Sequence, residues 1–431
     1  MKFEWNCLVA GYGLLLAGHV AMAAPPSRPP TLSDAINLIM KENRPLPAIE
    51  ILREGVRSKS MQAQTAAQFY AVSGDTLGTS RMAEAAEPSV KTVAAPISLT
   101  EARIVPAIAA LVSAANGRRV VMLNEDHVHQ QHRAFAYALM KALRAEGFTH
   151  FGAETFGQES RESLEDGAPD LKTGVYTTDP LYADLARQAK ALGYSLFDYE
   201  QREDQTPATG SPEEQRLARE RAQAGNIAGI LNADPKARLF VYAGAGHIAE
   251  SDDADGRIWM AQLLKEQVGT DPLTINQVYG TPRSDPGKDS SDFLTAERLG
   301  PIPAASVVMT PSGPLRAPGF DLTVFHPREH LKNGRPQWLT MDGYRLPCRI
   351  TIRPGAKETM ARAFLSSEPP NAIPMDQVLI PPRARSATLM LPMGEYRIVR
   401  QTIDADRLLG VGRIGPPRSG SESASICRPV P

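Results

Sequence analysis

Neither sign of charge is in excess in this chain, where 47 Lys and Arg stand against 48 Asp and Glu. That balance leaves no electrostatic footprint for nucleic acid or an anionic membrane surface. Long apolar runs are also missing, with one exception. Residues 7–22 (CLVAGYGLLLAGHVAM) follow Lys2 and run into Ala21-Met22-Ala23, a small-x-small cleavage pattern. The run is too short for a membrane helix and is interrupted by His19, and nothing later approaches about 20 apolar residues. We read residues 1–23 as a signal peptide with no lipobox-like cysteine at its end, so a periplasmic or secreted protein with no transmembrane segment after cleavage is expected.

Cysteine is scarce, with three in 431 residues. Cleavage removes Cys7 and leaves Cys348 and Cys427, for which a disulfide is the expectation in an oxidising compartment. Closing so long a loop would stabilise the chain by about 4 kcal/mol on the chain-entropy model. Titration of denatured, unreduced mature protein is therefore expected to find no free thiol, and two reactive thiols would refute the staple. Two familiar motifs are absent as well. No Gly-x-Ser-x-Gly elbow occurs, which disfavours a serine nucleophile. The Gly244-Ala245-Gly246 turn lacks a Walker Lys-Ser/Thr, which weakens a phosphate-cradle reading.

About 400 mature residues exceed what one hydrophobic core normally serves, so several units are expected. Residues 31–83 read as two or three short helices, opened by Thr31-Leu32-Ser33-Asp34, with stripes at Ala35, Leu38 and Ile39 and at Ala48, Ile49, Ile51 and Leu52. They suggest a helical hairpin module packed on the main domain rather than a repeat array, since only one degenerate unit is present. Residues 84–97 read as a linker. From 98 to 335 strands and helices alternate, which implies an α/β fold: a mostly parallel sheet with helices on both faces. Helices are expected near 99–115, 130–146, 181–192, 212–232 and 257–267, and strands at 118–124, 149–153, 194–197, 238–243, 273–279, 306–310 and 320–325. The polar segment 157–180 is long enough to be a lid. Residues 340–431, with strand-like alternation at 347–353, 386–391 and 394–401, read as a small C-terminal β domain.

Four of those strands end in residues able to do acid–base or metal chemistry: Glu125 to His129, Glu154, Asp198 to Glu200, and Gly244 to His247. In open α/β sheets a ligand sits beyond the carboxyl ends of the strands, so these ends describe one converging site. Glu125 and His127 stand at i and i+2, which on an extended backbone project from the same face. A carboxylate beside an imidazole raises its basicity and fixes its tautomer, as a general base or metal ligand needs. The plainer alternative is a solvated polar turn containing His127, His129 and His132. Glu154 closes an apolar strand, where an ionised carboxylate is costly unless paired or used. His247 follows a turn that calls for glycine freedom. Arg219 on the 212–232 helix is either part of a solvated charged face or a guanidinium aimed at a carboxylate-rich site or an anionic intermediate. For Asp198 and Glu200, a solvated strand end is the plainer reading.

In that order, Asn124-Glu125-Asp126-His127, Ala153-Glu154, Arg219-Glu220-(x)5-Asn226 and Gly244-Ala245-Gly246-His247 resemble the erythromycin esterase/ChaN/TIKI superfamily over residues 98–330. That grouping contains metal-free esterases that activate water with a histidine, metal-dependent proteases, and haem-binding proteins. The resemblance implies His127 as base or ligand, Glu125 and Glu154 as its carboxylate partners, Arg219 as anion stabiliser, and His247 as a second base, acid or ligand. Asn124 stands where the family usually has Gly, and the Glu-x-His spacing is nearer the ChaN form than the Glu-x-x-His of the esterases. The expectation is a hydrolase of an ester, lactone or amide in a small molecule or peptide. The alternative is a non-catalytic metal- or haem-binding protein. A divalent metal, if present, would take His127, His247 and Glu154, and haem is the less favoured cofactor.

Overall fold

The computed structural model describes residues 28–85, 98–253, 255–415 and 428–429. The expected signal peptide, most of the expected linker, and Cys427 lie outside the described residues. Cys348 is fully buried.

The N-terminal module has four helices where two or three were expected: α1 (Leu32–Met40), α2 (Pro45–Arg57), α3 (Ala63–Tyr70) and α4 (Thr76–Glu84). Thr31 and Asp34 close a capping box at the start of α1, which satisfies amide groups that the first turn leaves open. The module packs on more than the main unit. Ile39, Leu46, Ile49, Leu52 and Tyr70 share a core with Met360 near the C-terminus, while Ala67 and Ala83 meet Val128.

The central unit runs β1 (Arg103–Pro106), α5 (Ala107–Ala114), β2 (Val120–Glu125), α6 (Gln131–Ala145), β3 (His150–Ala153), α7 (Arg161–Asp166), α8 (Pro180–Ala191), β4 (Ser195–Phe197), α9 (Pro212–Ala233), β5 (Leu239–Gly244), α10 (Met260–Val268), β6 (Leu273–Asn276), α11 (Ser291–Glu297), β7 (Ser306–Thr310), β8 (Gly313–Pro314) and β9 (Leu322–Thr323). Six strands form one parallel sheet in the order β4-β3-β5-β2-β6-β9. A parallel sheet is covered on both faces, and all six residues of β2 and of β5 are accordingly buried. Their side chains alternate between two cores. Val121, Leu123, Phe240 and Tyr242 face α5, α6 and α8, whereas Val120, Met122, Leu239 and Val241 face α9 and α10.

Several expectations fail here. The helix expected at 99–115 begins only at Ala107. Proline fixes φ and lacks an amide proton, so Pro106 sits at the N-cap and not inside the helix. Residues 103–106 instead pair antiparallel with 306–309, which removes β7 from the parallel sheet and places it in a separate three-stranded one. The strand expected at 320–325 shortens to β9, and the segment 157–180 contains α7 and two 3-10 turns rather than a bare loop.

The C-terminal part continues with β10 (Leu331–Lys332), β11 (Arg335–Pro336), β12 (Leu346–Thr351), β13 (Thr359–Leu365), β14 (Asp376–Ile380), β15 (Ser386–Leu391), β16 (Gly394–Gln401), β17 (Asp406–Ile414) and β18 (Arg428–Pro429). Its main sheet is antiparallel in the order β14-β13-β16-β17-β18, beside a β12-β15 pair. It is fastened to α8 by Arg187–Glu368 at 2.7 Å and by the buried pair Arg345–Asp184. No helix among the described residues is long and apolar enough to cross a membrane.

Candidate active site at the carboxyl edge of the parallel sheet

The strand order β3-β5-β2 places three of the four predicted strand ends side by side. Glu154 follows β3, Gly244 to His247 follow β5, and Glu125 closes β2 opposite Gly244. The side chains converge. Glu125 Oε1 is 2.7 Å from His127 Nδ1, Glu154 Oε2 is 3.7 Å from His127 Nε2, and Glu154 Oε1 is 3.5 Å from His247 Nε2. One carboxylate thus lies between two imidazoles. Arg219 joins from α9, its Nη2 donating to Glu154 Oε1 at 2.9 Å.

The route by which Glu125 and His127 meet differs from the extended backbone expected. β2 stops at Glu125, and His127 takes φ +61°, a left-handed conformation uncommon for residues other than glycine. Asp126 holds the turn, its Oδ1 accepting the amides of Val128 (3.1 Å) and His129 (2.9 Å). Asn124 works on either side of this turn. Its Nδ2 donates to Ala245 O at 3.0 Å and its Oδ1 accepts the Gln277 amide at 2.8 Å, tying β2 to the loops after β5 and β6.

The glycines after β5 are also not where left-handed freedom is needed, since neither Gly244 nor Gly246 has positive φ. They are needed for space. A Cβ on Gly244 would lie 2.7 Å from Glu154 Oε2 and 3.0 Å from His127 Nε2, and one on Gly246 would meet the Trp259 ring at 3.0 Å.

Charges are balanced around each imidazole in different ways. Burial pushes the Glu125 carboxyl up in pKa, but the Arg133 guanidinium and the His127 ring outweigh it and bring it down to about 2. Arg133 Nε donates to Glu125 Oε2 at 2.9 Å, and Tyr242 Oη donates to the same oxygen at 2.9 Å. His247 has a carboxylate at each nitrogen, with Glu220 Oε1 at 2.8 Å from Nδ1 and Glu154 Oε1 at 3.5 Å from Nε2. Burial opposes its charged form, yet Glu220 and Glu154 prevail and raise it to about 10. Arg219 Nη1, 3.1 Å from His247 Nε2, would instead favour a neutral ring that accepts its proton. We take the carboxylates to decide, because Arg219 is already neutralised by Glu154 and by Glu200, whose Oε1 accepts from Nε at 2.9 Å. Glu154 itself is held well below the usual carboxylate range: burial pushes it up, but His247 and Arg219 overcome that.

Exposure rises across the site. The His127 side chain is 0% exposed, Glu154 4%, His247 7% and Arg219 24%. His127 is therefore not part of a solvated polar turn, the plainer reading of this segment. The Tyr176 ring stacks on it at 3.7 Å between centroids and 7° between planes, closing that side with the segment read as a lid.

Glu200, read as a solvated strand end, belongs to the site: it pairs with Arg219, and Gln223 donates to it at 3.2 Å. Asn226 donates to the carbonyls of Tyr199 and Glu200 and so holds that loop against α9. Asp198 turns away to Arg161. Arg133, Tyr242 and Tyr176 were not named from sequence as parts of the site, and Glu220 entered only as the residue beside Arg219 in the helix motif, without a role of its own. Tyr242 carried a signal, since a tyrosine hydroxyl inside an apolar strand needs a partner. Arg133 and Tyr176 carried none, because nothing local distinguishes them from surface residues. Among the described residues, the His/Cys/Asp/Glu set whose ligating atoms close to within 4.8 Å is Asp126, His129 and His132, not His127, His247 and Glu154.

The class that fold and site define is an α/β protein with a buried two-histidine, multi-carboxylate centre at the carboxyl edge of its parallel sheet. No family model matches the chain, and no curated protein matches it. Among solved structures it is similar to the type III effector HopBA1, at 16% identity over 53% of this chain and 97% of that one, with a TM-score of 0.33. It is also similar to RRSP, a MARTX toxin effector domain from Vibrio vulnificus CMCP6, at 16% identity over 40% of this chain and 36% of that one, with a TM-score of 0.32. The C-terminal region of Pasteurella multocida toxin, described as having a thiol-protease-like catalytic triad, matches at 11% identity over 71% of this chain and 46% of that one, with a TM-score of 0.26. These likenesses are too loose to support any inference about activity.

Proposed function

We propose that the protein is a periplasmic or secreted hydrolase of the erythromycin esterase/ChaN/TIKI type, acting on an ester, lactone or amide in a small molecule or peptide. The observation that supports this reading best is the single buried carboxylate of Glu154 within 3.7 Å of one imidazole and 3.5 Å of another. Pairs of titratable groups in contrasting environments are how acid and base roles are divided. His127, oriented through Nδ1 by Glu125, takes a proton from water. The hydroxide forms a bond to the carbonyl carbon, and His247, kept protonated by Glu220 and Glu154, gives its proton to the leaving oxygen or nitrogen as the bond between that atom and the carbonyl carbon breaks. Arg219 stands at the more exposed end, where charge develops on the carbonyl oxygen. Carboxylates, an arginine and a tyrosine stand against the imidazoles, which suits activation of water. Opening of the 157–180 segment, which carries Tyr176, would admit substrate to His127.

The test is a panel of aryl esters, lactones and small peptides, with and without added divalent metal, and an ultraviolet–visible spectrum for haem. Turnover of at least one class that is lost on mutating His127 supports the reading, and no turnover of any class overturns it. A pH dependence follows from His247. As an acid it works while protonated, so activity is retained through neutral pH and falls on an alkaline limb near pH 10. In Glu220→Gln one of the two carboxylates that raise it is gone, and the limb should move down by about 1–3 pH units. An unmoved limb in the kcat/KM profile would remove His247 from the acid role.

A further inference from the structure

Two histidines that the candidate active site leaves unused stand next to it. His129 and His132 stand on the first turn after Asp126, and one ligating atom from each of the three residues falls within 4.8 Å of the others. Asp126 and His132 are buried and His129 is partly buried: the His132 side chain is 0% exposed, His129 9% and Asp126 10%. We propose that Asp126, His129 and His132 form a binding site for one divalent transition-metal ion of the zinc class, separate from the Glu125–His127–Glu154–His247 centre and independent of its hydrolytic reading.

Hydrogen-bond accounting carries the argument. Thr281 Oγ1 has one proton, which it gives to Gln277 O at 2.7 Å. It must then accept from His132 Nε2, 2.8 Å away, so that nitrogen carries the ring proton. Nδ1 of His132 is left buried without a hydrogen-bond partner, 3.4 Å from Asp126 Oδ1. Charge-assisted N–H···O bonds are about 2.7–2.9 Å long, so this spacing is that of a lone pair facing a carboxylate, an arrangement that calls for a cation between them. His129 turns to the same carboxylate, its Nδ1 standing 2.6 Å from Asp126 Oδ2, so this nitrogen is the one that can share an ion with Asp126 and His132 while the buried Nε2 carries the ring proton. A carboxylate or hydroxyl on the far nitrogen of a ligating histidine is the usual support of a metal site.

Two imidazoles and a carboxylate suit zinc and its neighbours better than calcium or magnesium, which prefer oxygen. Ligands about 2.0–2.1 Å from zinc stand roughly 3.3 Å apart in a tetrahedron, so the three side chains need only small rotations to close on an ion. An entry path exists: His129 lines a cavity of about 170 Å³ together with Glu329, Arg328 and Trp338. The ion would also brace the turn that gives His127 its left-handed backbone, because Asp126 holds that turn through the amides of Val128 and His129.

The test uses tag-free mature protein, stripped with a chelator, dialysed and titrated with Zn²⁺ and with Co²⁺ as a visible-spectrum probe. One ion per chain is expected, with a rise in Tm on adding Zn²⁺. His129→Ala and His132→Ala should each weaken binding by at least about 10- to 100-fold. Should the buried His132→Ala chain not fold, as judged by near-ultraviolet circular dichroism, X-ray absorption of the zinc-loaded wild type decides. Two imidazoles in its first shell support the site, and a shell without imidazole overturns it. Wild type that binds neither ion, or binding unchanged in a folded His129→Ala variant, also overturns it, the former leaving His132 as a protonated partner of Asp126.

Discussion

Replacing His127 by Ala is expected to lower turnover of any ester, lactone or peptide substrate by about a hundredfold or more, the usual scale for loss of a general base. The fold should survive. Glu125 loses the Nδ1 contact at 2.7 Å but keeps Arg133 and Tyr242, so the cost is about 1–3 kcal/mol, that of one buried polar group losing a partner. The Tyr176 ring loses its stacking partner as well. The measurement is kcat/KM of folded variant against wild type on the first substrate that turns over. A folded His127→Ala enzyme within a few-fold of wild type would show that this imidazole is not the base.

Arg133→Met is expected to be the most destabilising single change near the site, by about 3–5 kcal/mol, because it removes one member of a buried charge cluster and leaves the others uncompensated. Arg133 is 2.9 Å from Glu125 and 3.2 Å from Asp179, and its guanidinium lies over the Tyr182 ring at 5.1 Å. Asp179 has a second duty as the N-cap of α8, so the damage should reach that helix and the C-terminal strands fastened to it. Denaturant unfolding checks this, with Arg133→Met/Glu125→Gln recovering part of the loss if the uncompensated carboxylate is the cause. The acid limb gives an independent sign. Glu125 has a folded pKa of about 2, below its ordinary value of 4.5, so its contribution is fully present above about pH 4.5 and is lost as pH falls towards 2. In Arg133→Met the folded pKa rises towards the ordinary value, so the acid-dependent loss of stability below pH 4.5 should be smaller than in wild type. A variant as stable as wild type, with the same acid limb, would mean that Arg133 does not hold Glu125 ionised.

How much of this was legible depends on whether the signal was local. Apolar runs such as RRVVMLN and RLFVYA announce buried parallel strands because both faces of such a strand must be covered, and the polar residues that end them mark the ligand edge. Glu125, His127, Glu154, His247 and Arg219 could be named from strand ends and one helix, and the fold places all five together. Periodicity could not show that Pro106 breaks the first expected helix into a strand and a helix, or that residues 306–310 leave the parallel sheet, since pairing partners far along the chain decide both.

The sequence by itself determined the α/β class of the central unit and which strand ends carry acid–base groups, because both follow from short-range apolar patterning. Only the tertiary structure decided what those groups face. The strand order β3-β5-β2 is what puts Glu154 between two histidines, and a carboxylate's neighbours, not its position in the chain, set whether it stays charged. The same holds for Arg133 and Tyr242, which read as ordinary core or surface residues until folding brings a charge to each, and for the role of Glu220 beside His247. It holds for His127 too, whose left-handed turn and cover by Tyr176 arise from contacts made across the fold. Electrostatic complementarity acts through space over a few ångströms, and residues that near to one another can lie far apart along the chain, as Glu125 and Tyr242 do, 2.9 Å apart and 117 positions distant in sequence.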